Sequence, residues 1–141
     1  MCFFFGYKFV SLSLFLWCLI LVLEYGFGGL VSTKCDVYSF GIMLMEVFTR
    51  RRPSDDMLVG NLSLKSWISG SMPYAIFQVV DANLFEPHDE HFTVKLECLS
   101  SIMEVALTCA AESPVERLCM EHVSNSLKKI KLKFLSRHGE R

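Results

Sequence analysis

Residues 33–50 constrain the fold most, because they combine helix-boundary signals with an almost wholly apolar interior. The hydroxyl of Ser32 or Thr33 can accept a hydrogen bond from an amide of the first helical turn, and Asp36 follows Thr33 at capping-box spacing. Three arginines and then Pro53 end the segment. Its two apolar sides hold Val37, Phe40, Leu44, Val47 and Phe48, and Ile42, Met43 and Met45. A helix that is apolar nearly all round is buried, so we expect a central helix over residues 33–50 with other helices packed around it.

Helical spacing continues through the rest of the chain. It predicts short helices over residues 64–69, capped by Ser63, and 74–80, and longer ones over 93–111 and 115–135. The side chains expected to point inward are Leu64, Trp67, Ile68, Ile76, Phe77, Val80, Leu96, Leu99, Ile102 or Met103, Ala106, Leu107, Ala110, Leu118 or Cys119, Val123, Leu127, Ile130 and Phe134. No alternation typical of strands follows residue 31, so the sequence predicts an all-α fold.

The first 23 residues form an apolar segment whose only charge is Lys8. Phe9 to Leu23 is interrupted by two serines alone, and we expect an apolar N-terminal helix there. A membrane-spanning helix needs about 20 apolar residues, and a signal peptide has an apolar region of about 7–15. Three interpretations stay open, namely a membrane anchor, a signal-like segment, and an artefact of the gene model.

The net charge and the cysteine spacing argue against a nucleic-acid site and a zinc site. The net charge of −1 gives no general attraction to nucleic acid, so no nucleic-acid partner is expected, and the cations of residues 121–141 are interpreted as a solvated helix face followed by a basic tail at 136–141. The six cysteines form no Cys-x-x-Cys pair and have no histidine at zinc-like spacing. We therefore expect free, mostly buried thiols and no metal site.

One motif resembles a known family. Residues 36–41, Asp-Val-Tyr-Ser-Phe-Gly, resemble the start of the large central helix in the C-terminal lobe of eukaryotic protein kinases. Residues 24–26, Glu-Tyr-Gly, are similar to the end of the Ala-Pro-Glu motif that closes the kinase activation segment. Residues 109–117, Cys-Ala-Ala-Glu-Ser-Pro-Val-Glu-Arg, resemble the turn before the last kinase helix.

Three further stretches narrow the resemblance to plant receptor-like kinases, particularly the leucine-rich-repeat class. They are Arg-Arg-Pro-Ser-Asp at 51–55, Leu-Lys-Ser-Trp at 64–67 and Val-Val-Asp-Ala-Asn-Leu at 79–84. The resemblance covers residues 24–135 in unbroken order. It identifies them as part of a truncated kinase C-lobe, the helical lower half.

The resemblance also implies roles for individual residues. It implies an ion pair between Glu24 and Arg117, which ties the end of the activation segment to the last helices. It also implies a hydrogen bond between Asp36 and the catalytic loop. These are structural roles. Trp67, together with the acidic surface of residues 81–104, is a candidate contact for the protein partners of the parent kinase.

The family transfers phosphate from ATP, with magnesium, to serine or threonine in proteins. The sequence contains no His-Arg-Asp, no Asp-Phe-Gly and no Val-Ala-Ile-Lys-like strand, so no catalytic, cofactor-binding or metal residue is assigned and the chain is expected to be inactive alone. The alternative is a non-catalytic interaction module tethered to the membrane by Phe9 to Leu23. A third hypothesis is a small membrane or secreted protein, in which the Asn61 sequon would be glycosylated. The expected location is the membrane, and otherwise the cytoplasm.

Overall fold

A computed structural model describes residues 33–55, 62–85 and 88–138, and all the regular structure in these ranges is helical. The all-α prediction is therefore confirmed. The elements are α1 (Thr33–Thr49), α2 (Leu64–Ser71), two 3₁₀ turns (Ile76–Gln78 and Ala82–Leu84), α3 (Phe92–Cys109) and α4 (Met120–His138).

Several expectations concern residues outside these ranges. They are the apolar segment of residues 1–23, Glu24, the Ser32 cap, the Asn61 sequon and the end of the basic tail. Within the described ranges, none of the helices has the length and apolar character needed to cross a membrane.

Within the described ranges, helix α1 packs on α3 and α2, and its interface with α3 is the most extensive one between helices. Helix α3 in turn packs on α4, on α2 and on the 3₁₀ turn Ile76–Gln78. The buried residues of α1 are Val37, Phe40, Gly41, Leu44, Met45 and Thr49. Ile42, Met43, Val47 and Phe48 are half-buried, whereas Cys35 and Tyr38 are exposed.

The crossing of α1 and α3 depends on Gly41. A Cβ atom at this position would lie 2.6 Å from the carbonyl oxygen of Ala106 and 2.7 Å from the Cβ of Cys109. Real Cβ atoms do not approach other heavy atoms so closely, so the two backbones meet at a distance that only glycine permits.

Helix α1 ends at Thr49, before the prolyl stop that the sequence suggests. The buried Thr49 hydroxyl donates to the Met45 carbonyl at 2.8 Å and accepts from the Arg51 amide at 3.2 Å. Arg50 has a φ of 53°, the left-handed conformation that commonly terminates helices. The Asp81 amide then donates to the Phe48 carbonyl at 2.8 Å, which supplies a partner for one of the last helical carbonyls.

Helix α2 begins at the predicted cap. The Ser66 amide donates to the Ser63 hydroxyl at 3.0 Å, and the Ser63 amide donates to the Ser66 hydroxyl at 2.8 Å, which forms a capping box. Leu64 and Ile68 are buried as expected, whereas Trp67 is half-buried.

The short helix expected over residues 74–80 is instead a 3₁₀ turn, Ile76–Gln78. Ile76 and Val80 are buried as predicted, but Phe77 is 50% exposed, contrary to prediction. The 3₁₀ turn ends at Gln78, so residues 74–80 are not one continuous helix and Phe77 and Val80 do not have to share a face.

Helix α3 lies close to its predicted range and buries Cys98, Leu99, Ile102, Met103, Ala106 and Cys109. Helix α4 buries the predicted Val123 and Phe134, but it starts at Met120 rather than Val115. The preceding residues form a turn, in which the Glu116 amide donates to the Ser113 carbonyl at 3.1 Å, and Val115 is 89% exposed.

Candidate functional site

Arg117 joins the turn between α3 and α4 to the start of α1. Its guanidinium donates from Nε to the Ala111 carbonyl at 2.7 Å and from Nη2 to the Glu112 carbonyl at 3.0 Å. A third bond runs from Nη1 to the carbonyl of Lys34 at 3.1 Å, across 83 residues of sequence. Because guanidinium donors lie in a rigid plane, one side chain can hold three carbonyls in fixed positions.

Two side chains of α1 complete this Arg117 junction, which consists of Lys34, Tyr38, Ala111, Glu112 and Arg117. The Lys34 ammonium donates to the Arg117 carbonyl at 2.5 Å. The guanidinium carbon of Arg117 lies 4.7 Å from the centre of the Tyr38 ring, within the range of a cation–π interaction. The first turn of α1 and the turn before α4 are thus bonded in both directions.

The predicted structural residues have different outcomes. The structure places Arg117 at a junction. Its partners in α1 are Lys34 and Tyr38, which the sequence analysis missed. Their spacing of one helical turn is the only local signal for them. Glu24 lies outside the described residues, so the Glu24–Arg117 pair stays a prediction. Asp36 is half-buried in the first turn of α1, where a negative carboxylate interacts favourably with the positive end of the helix dipole.

Trp67 lies on α2. Its backbone carbonyl accepts from the Ser71 hydroxyl at 3.0 Å, and its side chain is half-buried on α2. Lys65, on the same helix, lies 3.8 Å from the carboxylate of Glu112 in the Arg117 junction. A role of Trp67 in binding partners stays a prediction.

The loop before α3 contains a nearly buried ion pair, within the range of residues 81–104 that the sequence analysis interpreted as an acidic surface. The side chains of Asp89 and Lys95 are 6% and 15% exposed and lie 2.5 Å apart. The other carboxylate oxygen of Asp89 accepts from the His91 amide at 2.9 Å. Asp89 therefore fixes the entry into α3, and its sequence signal is an acidic residue just before the first helical turn.

The described cysteines are all free thiols, of which two are buried and two are exposed. Burial raises the pKa of Cys98 and of Cys109 to about 11, so both thiols stay protonated and act as packing groups. The exposed Cys119 has its sulfur 2.8 Å from Nδ1 of His122. Within the described ranges, no three His, Cys, Asp or Glu side chains are grouped so that they could hold a metal ion.

Comparison with known proteins identifies the family of the chain. A sequence model of the family "protein tyrosine and serine/threonine kinase" matches residues 16–127. The chain belongs to this kinase family.

Relatives of this kinase chain are plant receptor-like kinases. It is 39% identical over 111 residues to an LRR receptor-like serine/threonine-protein kinase of Arabidopsis thaliana, an alignment that covers 79% of this chain and 11% of the relative. Another Arabidopsis LRR receptor-like serine/threonine-protein kinase, EFR, is 32% identical over 80% of this chain and 10% of its own length. A receptor kinase-like protein of Oryza sativa subsp. japonica is 28% identical over 77% of this chain and 11% of its own length.

This kinase chain spans about a tenth of the length of these relatives. The resemblance to the C-terminal part of a plant LRR receptor-like kinase domain is confirmed, and the described helices fit the helical portion of a kinase C-lobe.

Proposed function

We propose that this chain supplies a helical part of the C-terminal lobe of a receptor-like serine/threonine kinase, whose reaction is ATP-dependent phosphorylation of proteins. Family membership supports the reaction class. The observation that carries the proposal is the Arg117 junction, because it bonds the start of the central helix to the turn before α4. In this proposal the junction keeps the helical platform in one arrangement while other residues perform the chemistry.

We infer that ATP and magnesium are held by residues that this sequence does not contain. Phosphoryl transfer in protein kinases uses a strand lysine, a catalytic-loop Asp and Asn, and the Asp of Asp-Phe-Gly. None of the corresponding motifs occurs here, so the proposed contribution of these residues is structural and the isolated chain is catalytically inactive.

A domain-replacement experiment tests this proposal. Residues 33–138 would replace the aligned segment in the Arabidopsis kinase that is 39% identical. We expect the chimera to phosphorylate a generic protein substrate, and the same chimera with Arg117→Met to lose most of that activity. Arg51→Gln is a control, because Arg51 is exposed and outside the junction. A chimera that folds but has no kinase activity would contradict the proposed structural role of residues 33–138. Phosphorylation of the substrate by the isolated chain would contradict the inference that this chain is inactive alone.

The exposure of two aromatic residues favours a second candidate function, a non-catalytic interaction module. Tyr74 is 93% and Phe77 is 50% exposed, and the 3₁₀ turn that holds Phe77 packs on α2, which carries Trp67. The module would compete for protein partners of the parent kinase. Adding the purified chain to an assay of the Arabidopsis relative should reduce substrate phosphorylation, and Tyr74→Ser with Phe77→Ser should relieve the inhibition. No inhibition at saturating chain would exclude this function.

The module would be tethered to a membrane by Phe9 to Leu23. Extraction of cell membranes at alkaline pH tests this tether, because an inserted apolar segment stays with the lipid and a peripheral protein is released. Retention that disappears when residues 1–23 are deleted would support the tether. Complete release of the full chain would contradict it.

A further inference from the structure

Helix α4 has two leucines on the face that points away from the core. Leu132 is 66% and Leu135 is 51% exposed, and they lie one turn apart on the helix. Val123 and Phe134 are buried on the opposite side. The core therefore uses one face of α4 and leaves this apolar pair in solvent.

Two lysines flank these leucines. Lys128 and Lys129 are exposed and precede Leu132 by four and three residues, so all three lie on neighbouring positions of the helix surface. We call Lys128, Lys129, Leu132 and Leu135 the α4 outer patch. Neither lysine of the patch forms an ion pair within the described ranges.

Other cations of α4 are used differently. Lys133 and Arg137 both bind Glu97 of α3, Lys133 at 3.7 Å. The Glu97 carboxylate compensates part of their charge across the α3–α4 interface. Lys128 and Lys129, by contrast, lie on the same side of α4 as the exposed leucines and form no ion pair within the described ranges.

We propose that the α4 outer patch binds the surface of an anionic lipid bilayer, with α4 lying in the plane of the interface. The leucines would enter the boundary between headgroups and acyl chains, and the lysines would extend to the lipid phosphates. This proposal goes beyond the kinase function proposed above and does not rest on it.

The chemistry of the patch favours lipid over other anionic partners. A nucleic-acid backbone would neutralise Lys128 and Lys129 but would offer the leucines no apolar surface. An anionic bilayer offers phosphates to the lysines and an apolar boundary to the leucines, and both lysines and Leu135 lie about one turn from Leu132 on α4. With two leucines and two lysines, the binding is expected to be weak, reversible and sensitive to salt.

Co-sedimentation with vesicles tests the proposal on the full chain. The two preparations are phosphatidylcholine alone and phosphatidylcholine with about a third phosphatidylserine, and the readout is the ratio of the two partition coefficients. Any insertion of the apolar segment at residues 1–23 would raise both partition coefficients by the same factor, because apolar insertion does not depend on lipid charge. Its contribution therefore cancels in the ratio. We expect the wild-type ratio to exceed one and to fall towards one at about 0.5 M salt.

Variants make the test specific for the patch. Lys128→Gln with Lys129→Gln should lower the ratio about 20- to 30-fold, because each lysine near an anionic surface contributes roughly fivefold. Leu132→Ser with Leu135→Ser should weaken binding to the anionic vesicles as well. The matched controls are Arg51→Gln with Arg52→Gln for charge, and Val115→Ser for an apolar side chain that is 89% exposed elsewhere.

The outcomes separate the alternatives. Two results together support the proposal, with unchanged circular dichroism and normal control variants: loss of the ratio in the lysine variant, and weaker binding to anionic vesicles in the leucine variant. A wild-type ratio of one, an equal loss in the charge control, or unchanged binding in the patch variants overturns it. Binding to homopolymeric RNA with no preference for anionic vesicles also overturns it.

Discussion

Gly41 decides how closely α1 and α3 pack, so Gly41→Ala is expected to destabilise the chain by about 1 kcal/mol net. The added methyl group would meet backbone atoms of Ala106 and Ala110, which cannot rotate away, and overpacking costs about 1–3 kcal/mol. Alanine recovers less than this, about 1 kcal/mol, through its better helix propensity. Urea denaturation followed by circular dichroism measures the difference.

Gly70→Ala is the matched control for this prediction. No atom lies within 4 Å of the position its Cβ would occupy, so the variant should be neutral or more stable by up to about 1 kcal/mol. Equal behaviour of the two variants would show that the close approach at Gly41 has no energetic consequence.

Glu46 gives a prediction about pH. Burial raises the pKa of this α1 carboxyl, the charge of Arg52 opposes the rise, and Asp55 adds to it. Because the pKa is higher in the folded than in the unfolded chain, the group contributes stability below its unfolded value of about 4.3 and loses it as the pH rises through the folded value.

Glu46→Gln should therefore stabilise the chain slightly at neutral pH. The effect should stay below about 0.5 kcal/mol, because the residue is only half-buried and solvent screens its charge. The gain should disappear below about pH 4, where the carboxyl is protonated in both states. Urea midpoints at both pH values measure it, and a variant that is less stable than wild type at neutral pH would reverse the inferred sign.

At the scale of a single element, α2 depends on its cap. A helix of eight residues is too short to be stable alone, so its stability comes from packing and from end effects. Ser63→Ala removes the acceptor for the Ser66 amide and should cost about 1 kcal/mol. Hydrogen exchange of the amides in Leu64–Ser71 should accelerate, while the amides of α3 should change less.

Ser69→Ala is the control for the cap, since Ser69 is an exposed residue within the same helix. It should have little effect on exchange, because alanine is the better helix former. Equal acceleration in the two variants would assign the effect to the helix surface and not to the cap.

At the scale of the whole described fold, Arg117 connects segments that are far apart in sequence. Arg117→Met keeps much of the side-chain volume but removes three hydrogen bonds to carbonyls and the interaction with Tyr38. A hydrogen bond from a charged group contributes about 1.5–3 kcal/mol, and bonds from one group are not additive. We expect a loss of about 2–3 kcal/mol in urea denaturation.

Arg117→Lys distinguishes charge from geometry at the junction. Lysine keeps the cation, but its single ammonium cannot span three carbonyls in a plane, so about half of the loss should remain. If the lysine variant matches wild type, the charge alone holds the junction. If the methionine variant matches wild type, the junction does not stabilise the fold.

Local pattern was sufficient for the helices whose ends have chemical signals. Ser63 predicts the start of α2, and apolar spacing predicts the existence of α3 and its buried face. Two predictions are wrong: α4 starts at Met120 and not at Val115, and Phe77 is exposed and does not point inward. In both places a turn interrupts the helical period, and the residues on either side continue to look helical.

The sequence by itself determined the helical class and the kinase family, because periodic burial and motifs are written in neighbouring residues. Only the tertiary structure decided why Gly41 must be glycine, which carbonyls Arg117 binds, and that Asp89 and Lys95 are nearly buried. The first two depend on segments far apart in sequence, and the burial of the third on how the loop packs. No local spacing encodes them, and the geometry appears only when the helices have packed.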